Sequence, residues 1–197
     1  GGGGSDSSSV VKLTNQNGTA TFTIASGAVL NLMFNFTSTE EDIATGNGTC
    51  QITVNGTVKS TFSVEQGLTT VDVSKMLSSG SNTVRIKCTD VYGNYKTLIY
   101  TISVIEMYIT STFDATVPYT GPITFKYIPF GSLEKTIHIL VDGTEINTTV
   151  VTNSGKQETY IIPAQTHGVH KLEVYATATM DETPMESEHL IYDVICL

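Results

Sequence analysis

Apolar residues return at every second position in short runs along most of this chain, the period that places side chains on one face of a β-strand. The runs at residues 10–14 and 19–24 predict an edge pair around Asn17-Gly18. Residues 29–36 alternate most strongly, with Leu30, Leu32, Phe34 and Phe36 on one face. The acidic, glycine-bearing stretch 37–48 reads as a loop. Runs at 49–54 and 58–64 flank Asn55-Gly56, whose residues accept the positive φ of a tight hairpin turn. A short strand at 69–73 precedes one helical turn at 74–79, closed by Gly80, with Met76 and Leu77 expected to plug the core. Strands at 83–90 and 95–105 form a last hairpin around Tyr92-Gly93-Asn94.

The plan then repeats. Ile52-Thr53-Val54-Asn55-Gly56-Thr57 returns as Ile139-Leu140-Val141-Asp142-Gly143-Thr144, and Gly80-Ser81-Asn82-Thr83-Val84-Arg85-Ile86 as Gly168-Val169-His170-Lys171-Leu172-Glu173-Val174. Residues 107–112 open the second unit, and Ile123, Phe125 and Tyr127 repeat the strong apolar face. Strands follow at 136–141 and 145–151 around Asp142-Gly143, then at 158–162, 169–177 and 188–196, with a longer tip at 179–186. Pro163 stands where the first unit has its helical turn. No segment keeps helical periodicity over 10–12 residues, and short strands spaced by roughly 8–12 residues indicate β-sandwiches. The expected fold is all-β: a flexible Gly/Ser tether at 1–9, a first sandwich at 10–105 and a second at 106–197. The join near residue 105 has no Pro, Gly or Ser cushion, which predicts a stiff end-to-end rod of about 70 Å, from two modules of about 33 Å each.

Length and charge narrow the uses. At 197 residues there is room for two such domains. A net charge of −9, with charged residues at 15% and no Lys/Arg cluster in the sequence, opposes binding to nucleic acid or to anionic lipid. No apolar run approaches the ~20 residues of a membrane span. The chain starts without Met or a signal peptide, as expected of a processed product or a segment. The cysteines are Cys50, Cys88 and Cys196. Their odd number argues against a disulfide framework. Cys50 is in phase with Ile52 and Val54, and Cys88 with Val84 and Ile86, so both thiols point into the first core. A bridge between them requires neighbouring strands; free buried thiols would fit assembly in a reducing cytoplasm.

Few residues carry chemistry. His167 and His170 are three apart, but structural zinc needs four ligands and no others are near in sequence. Glu40-Glu41-Asp42 lacks the alternating acidic pattern of a calcium loop. The sequons at Asn17, Asn35, Asn47, Asn55 and Asn147 read as chance in a Thr-rich chain, and Asn17 and Asn55 are explained as Asn-Gly turns. No nucleophile with its base, Walker loop or dinucleotide fingerprint appears, so no catalytic residue, metal or cofactor is expected. The candidate contact residues are Asp90, Tyr92, Asn94 and Tyr95, which crown the last hairpin of the first unit, where loop-borne Tyr and Asn suit a sugar or a protein partner.

The stretch Asn82-Thr83-Val84-Arg85-Ile86-Lys87-Cys88-Thr89-Asp90-Val91-Tyr92-Gly93-Asn94 resembles the penultimate strand and final Thr-Asp-x-x-Gly-Asn hairpin of bacterial immunoglobulin-like modules. Residues 168–174 look like the same strand, without the turn. Together with Thr110-Ser111-Thr112-Phe113-Asp114 and Ile162-Pro163-Ala164-Gln165-Thr166-His167-Gly168, the chain resembles the tandem immunoglobulin-like regions of gut bacteriophage tail and fibre proteins. The Trp of true immunoglobulin domains is absent. The resemblance implies a non-enzymatic virion part, a spacer or exposed decoration assembled in the bacterial cytoplasm. Its partners would be other tail or fibre proteins or flanking domains, with a host-surface glycan or protein as a further one. A glycan- or cell-surface-binding module and an accessory domain of a secreted bacterial hydrolase are the alternative readings.

Overall fold

The computed structural model describes residues 8–197; the tether expected at residues 1–9 lies outside the described residues except for Ser8 and Ser9. The chain forms two compact units. The first runs up to Thr23 and from Val29 to Val104; the second takes Ile24–Ala28 and Ile105–Leu197.

The first unit contains β1 (Val10–Asn15), β2 (Thr21–Ala25), β3 (Asn31–Glu40), β4 (Ile43–Ala44), β5 (Gly48–Val54), β6 (Thr57–Val64), β7 (Gly67–Asp72), β8 (Gly80–Thr89) and β9 (Tyr95–Ile105). One sheet holds β1, β3, β4 and β7; the other runs β2-β9-β8-β5-β6. Leu32, Phe34 and Phe36 of β3 are fully buried, as are Ile52 of β5, Val84 and Ile86 of β8, and Ile102 of β9. The alternation predicted these inward rows because a pleated strand sends successive side chains to opposite faces. Each such side chain contributes roughly 1.5–3 kcal/mol by leaving water.

The second unit repeats the plan with β10 (Tyr108–Thr110), β11 (Ile123–Phe130), β12 (Lys135–Val141), β13 (Thr144–Val151), β14 (Glu158–Ile162), β15 (Gly168–Met180), β16 (Thr183–Glu186) and β17 (Leu190–Cys196). One sheet runs β10-β11-β14. In the other, β13-β12-β15 continues to β16 and β17, which share the far edge of β15. The correspondence reaches irregular details. β5–β6 slips its register between Ile52 and Thr53, and β12–β13 slips between Ile139 and Leu140. Both hairpins turn through two residues at positive φ, Asn55 (50°) with Gly56 (85°) and Asp142 (50°) with Gly143 (81°). Both units are therefore all-β immunoglobulin-like sandwiches.

Several expectations change. β1 and β2 are not an edge pair: β1 pairs with β3, while β2 joins β9. The Asn17 side chain explains this. It accepts from the Met33 N–H at 2.8 Å and donates to the Asn31 carbonyl at 2.9 Å, so the turn is tied to β3 and the chain crosses between sheets. The loop expected at 37–48 is mostly strand. β3 extends to Glu40 and turns back through Glu41 (φ 51°) and Asp42 (φ 63°) into β4; glycine is not obligatory in such turns, at a cost of order 1 kcal/mol per residue. The tip at 179–186 is likewise a hairpin, β15 into β16 through Asp181 and Glu182. The helical turn shrinks to a 3-10 turn at Ser74–Met76 with no buried residue; Val73, fully buried, plugs the core in place of Met76 and Leu77.

The thiols are also corrected. Cys50 and Cys88 form a disulfide, and Cys196 is the free, buried cysteine. The register places Cys50 directly opposite Cys88 on adjacent strands, both on the inward face, with Cα atoms 4.1 Å apart. A facing pair this close is near bonding distance, and the odd total only reflects that Cys196 belongs to the other unit. The bridge spans a sequence separation of 38, for which chain entropy gives about 4 kcal/mol of stabilisation. Reduction, or Cys50→Ala with Cys88→Ala, should lower the stability of the first unit by about 2–4 kcal/mol and spare the second. Urea unfolding with and without reductant checks this, and thiol titration of the denatured, unreduced protein should find Cys196 alone.

Candidate functional site

The predicted contact residues do not share one surface. Asp90 and Asn94 are each only 6% exposed. Asp90 Oδ1 accepts the backbone N–H groups of Tyr92 at 2.9 Å and Asn94 at 3.1 Å, which shapes the β8–β9 turn. Its Oδ2 accepts the hydroxyls of Ser9 at 2.6 Å and Ser38 at 2.8 Å. Asn94 Nδ2 donates to Ser9 Oγ at 2.6 Å. Ser38 receives Thr45 Oγ1 at 2.6 Å. Gln66 brackets the Ser38 backbone, accepting its N–H at 2.9 Å and donating to its carbonyl at 3.0 Å. The knot joins the approach to β1, the end of β3, the β4–β5 loop, the β6–β7 turn and the β8–β9 turn. Burial pushes the Asp90 carboxyl up, but the bonds from Ser9, Ser38, Tyr92 and Asn94 outweigh it and hold the carboxyl below its ordinary range.

These two residues are thus structural, and a signal for it was present. Ser38 falls on the inward phase of Leu32, Phe34 and Phe36, and a buried hydroxyl there requires a polar partner.

The two tyrosines separate as well. Tyr92 is 42% exposed, and a hydrogen bond to Glu40 together with that carboxylate's charge raises its phenol above the usual range. Val91, its neighbour in sequence, and Ile43, registered against the Glu40 that bonds Tyr92, are exposed as well. This apolar pole is what remains of the predicted site. Tyr95 is half-buried on β9, with Lys87 Nζ 4.1 Å from its ring centroid.

A second polar knot closes the other end of the first unit. Asn82, fully buried, donates to the carbonyls of Ser78 at 2.8 Å and Ile102 at 3.2 Å and accepts from Asn55 Nδ2 at 3.1 Å. In the second unit Asp142 replaces Asn55 and His170 replaces Asn82. Asp142 Oδ1 accepts the Lys171 N–H at 2.8 Å, as Asn55 Oδ1 accepts that of Thr83 at 2.9 Å, and Asp142 Oδ2 faces His170 Nδ1. The hydrogen bond from His170 lowers the Asp142 carboxyl, and the bond to Asp142 raises the His170 imidazole.

Cys196 is close by, lining a small cavity with His170. The thiol, imidazole and carboxylate are not connected as nucleophile and base. His170 Nε2 lies 2.7 Å from the Thr166 carbonyl, and burial raises the Cys196 thiol, away from the reactive thiolate. Further along the same sheet, the rings of His138, Tyr175 and His189 stack at centroid distances of 4.8 and 4.1 Å, with Glu145 on His138 and Glu173 on His189. Strand register makes this stack, so sequence spacing did not reveal it. Among the described residues no group of three or more His, Cys, Asp or Glu converges on a metal position.

No family model and no curated protein sequence matches the chain. Among solved structures, it is similar to the fibronectin(III)-like modules of Clostridium thermocellum CbhA (13% identity, 94% of each chain, TM-score 0.37). It is also similar to a 1.5-MDa bacterial ice-binding adhesin (17% identity, TM-score 0.32), matching over 95% of this chain and 64% of that one. Titin domains I67–I69 match at 11% identity over 95% of this chain and 65% of that one, with TM-score 0.35.

Asp90→Ala should destabilise the first unit by about 3 kcal/mol, because it leaves buried hydroxyls and N–H groups without an acceptor, whereas Tyr92→Ala should change stability by about 0.5 kcal/mol or less. Chemical denaturation of both variants checks the pair. The Asp142–His170 pair should make the second unit pH-dependent. The raised imidazole adds stability that is full below the ordinary histidine value and fades as pH rises through its folded value. The lowered carboxyl adds stability above the ordinary Asp value that is lost as pH falls through its own folded value. Asp142→Asn with His170→Asn, which installs the pair of the first unit, should flatten the dependence of the second thermal transition between about pH 6 and 8 relative to wild type.

Proposed function

We propose that the chain is a non-catalytic accessory or adhesion-type segment and, more narrowly, a spacer or exposed decoration on a bacteriophage tail or fibre. The observation that carries this reading is the duplicated architecture. Two copies of one sandwich retain the same hairpins, bulge position and turn, while buried polar side chains such as Asp90, Asn94 and Asn82 tie loops and strand ends together. A scaffold repeated in this way supplies reach and display. The exposed apolar pole of Tyr92, Val91 and Ile43 is one surface of the first unit that suits a partner.

One observation favours the second reading, a secreted or cell-surface module, including an accessory domain of a secreted hydrolase. The Cys50–Cys88 disulfide fits an oxidising compartment better than assembly in a reducing cytoplasm. Mass spectrometry of purified virions, with cryo-electron microscopy of the particle, tests the first reading: the chain should be a stoichiometric component, and its absence would remove the phage assignment. Thiol trapping on native material distinguishes the second reading, which expects the chain in the secreted or surface fraction with the disulfide formed.

A further inference from the structure

Folding distributes charge unevenly. The first unit contains six Lys/Arg and seven Asp/Glu, the second four and twelve. Nearly the whole net charge of −9 therefore belongs to the second unit. Within the first, the five strands of the larger sheet, β2, β5, β6, β8 and β9, contain Lys59, Arg85, Lys87 and Lys96 and not one Asp or Glu. The sequence shows no Lys/Arg cluster because these cations are spread over three strands. Two of them, Arg85 and Lys87, stand two residues apart on β8, and register decides what surrounds them.

On β8 the inward residues Val84, Ile86 and Cys88 are fully buried, so Arg85 and Lys87 lie on the outward face, about 7 Å apart along the strand. Their neighbours across the sheet are neutral. Arg85 lies between Thr53 and Ile99, and Lys87 between Gln51 and Thr97. Thr61 continues the row beyond Gln51, and Tyr95 closes the face beside Thr89. Arg85 and Lys87 are exposed. Among the described residues neither belongs to an ion pair; the ion pairs are all in the second unit.

We propose that this outward sheet face of the first unit binds an anionic polysaccharide of low charge density, a chain bearing carboxylates at intervals between neutral hydroxyls. Arg85 and Lys87 take carboxylates, the guanidinium in bidentate fashion. The hydroxyls and amide of Thr53, Gln51, Thr61 and Thr97 match sugar hydroxyls. Ile99, 52% exposed, receives the apolar face of a sugar ring, while the Tyr95 ring, with Lys87 Nζ 4.1 Å from its centroid, positions the Lys87 ammonium. Charge density selects the occupant. A nucleic-acid duplex carries one charge per ~1.7 Å, far more than two cations neutralise, whereas a sparse polyanion sets single carboxylates on Arg85 and Lys87. The proposal deepens the adhesion-type reading by naming a ligand class, and it needs neither a phage origin nor the Tyr92 pole.

The test is titration calorimetry of the full chain with polygalacturonate, with neutral dextran and duplex DNA as comparison probes, at low and at roughly physiological salt. Polygalacturonate should bind at least about tenfold more tightly than either comparison and weaken with salt. Arg85→Ala with Lys87→Ala should abolish binding, while Tyr92→Ala leaves it unchanged; both positions are exposed, and an unchanged thermal transition confirms the fold. The proposal is overturned by absence of polygalacturonate binding at low salt, by binding that survives the double substitution, or by tighter binding of DNA. It is also overturned if sedimentation shows low-salt self-association that the double substitution removes, since the face would then belong to a second copy. A null result leaves the spacer reading standing, because that reading rests on detection in the particle or the secreted fraction.

Discussion

The rest of the structure depends on one constraint: a strand of period two, buried on one face only, has no inward position to waste. Along β3 the inward row is Leu32, Phe34, Phe36 and then Ser38, all fully buried. The first three make a core. The fourth lies where the sandwich ends, and a buried hydroxyl there must be satisfied or it costs about 1–3 kcal/mol. Asp90 meets that need and brings in Ser9, Asn94 and the loop partners of Ser38. The turn that looked most like a binding tip is consequently a closure device, and its conspicuous Asp and Asn are consumed in building it.

The same logic operates at the opposite end of each unit, with different chemistry. The first unit closes with an amide pair, Asn55 and Asn82, whose hydrogen bonds do not change with pH. The second closes with Asp142 and His170, which do the same geometric work with groups that titrate. Duplication preserved the hairpin and the strand that follows, and only the side chains at the latch differ. This divergence fits the charge partition: the second unit holds all four histidines and most of the carboxylates, and apart from the Asp142–His170 latch its ion pairs and stacked rings form on the outward face of the sheet. Among the described residues, the first unit keeps its ionised groups apart: its one buried carboxylate is enclosed in neutral donors, and its sheet cations meet no carboxylate, Lys87 lying over the Tyr95 ring instead. One fold thus presents two electrostatically different faces.

Adhesion or spacing is the reading that such construction supports best, since internal polar groups are committed to closing the sandwiches and the variable chemistry lies on exposed faces and poles. The Cys50–Cys88 bridge adds a constraint on where the chain acquires its final covalent state, because bond formation between facing cysteines still requires an oxidant.

Much of the fold was legible in the order of residues. The alternation in β3, β8 and β11, the two hairpin turns at Asn55-Gly56 and Asp142-Gly143, and the duplication are local properties, set by pleat geometry and by which residues accept positive φ. Ser38 continues the inward phase of β3, but the acidic, glycine-bearing stretch 37–48 read as a loop and hid it. Tertiary structure alone decided which strands became neighbours. That decision separated β1 from β2, placed Cys50 opposite Cys88, enclosed Asp90 and Asn94, left Tyr92 outside, stacked Tyr175 between two histidines, and set Arg85 and Lys87 on a face free of carboxylates. The physical reason is that alternation fixes the face on which a side chain lies, whereas hydrogen bonding between distant strands fixes what it meets there. A chemical site depends on the second.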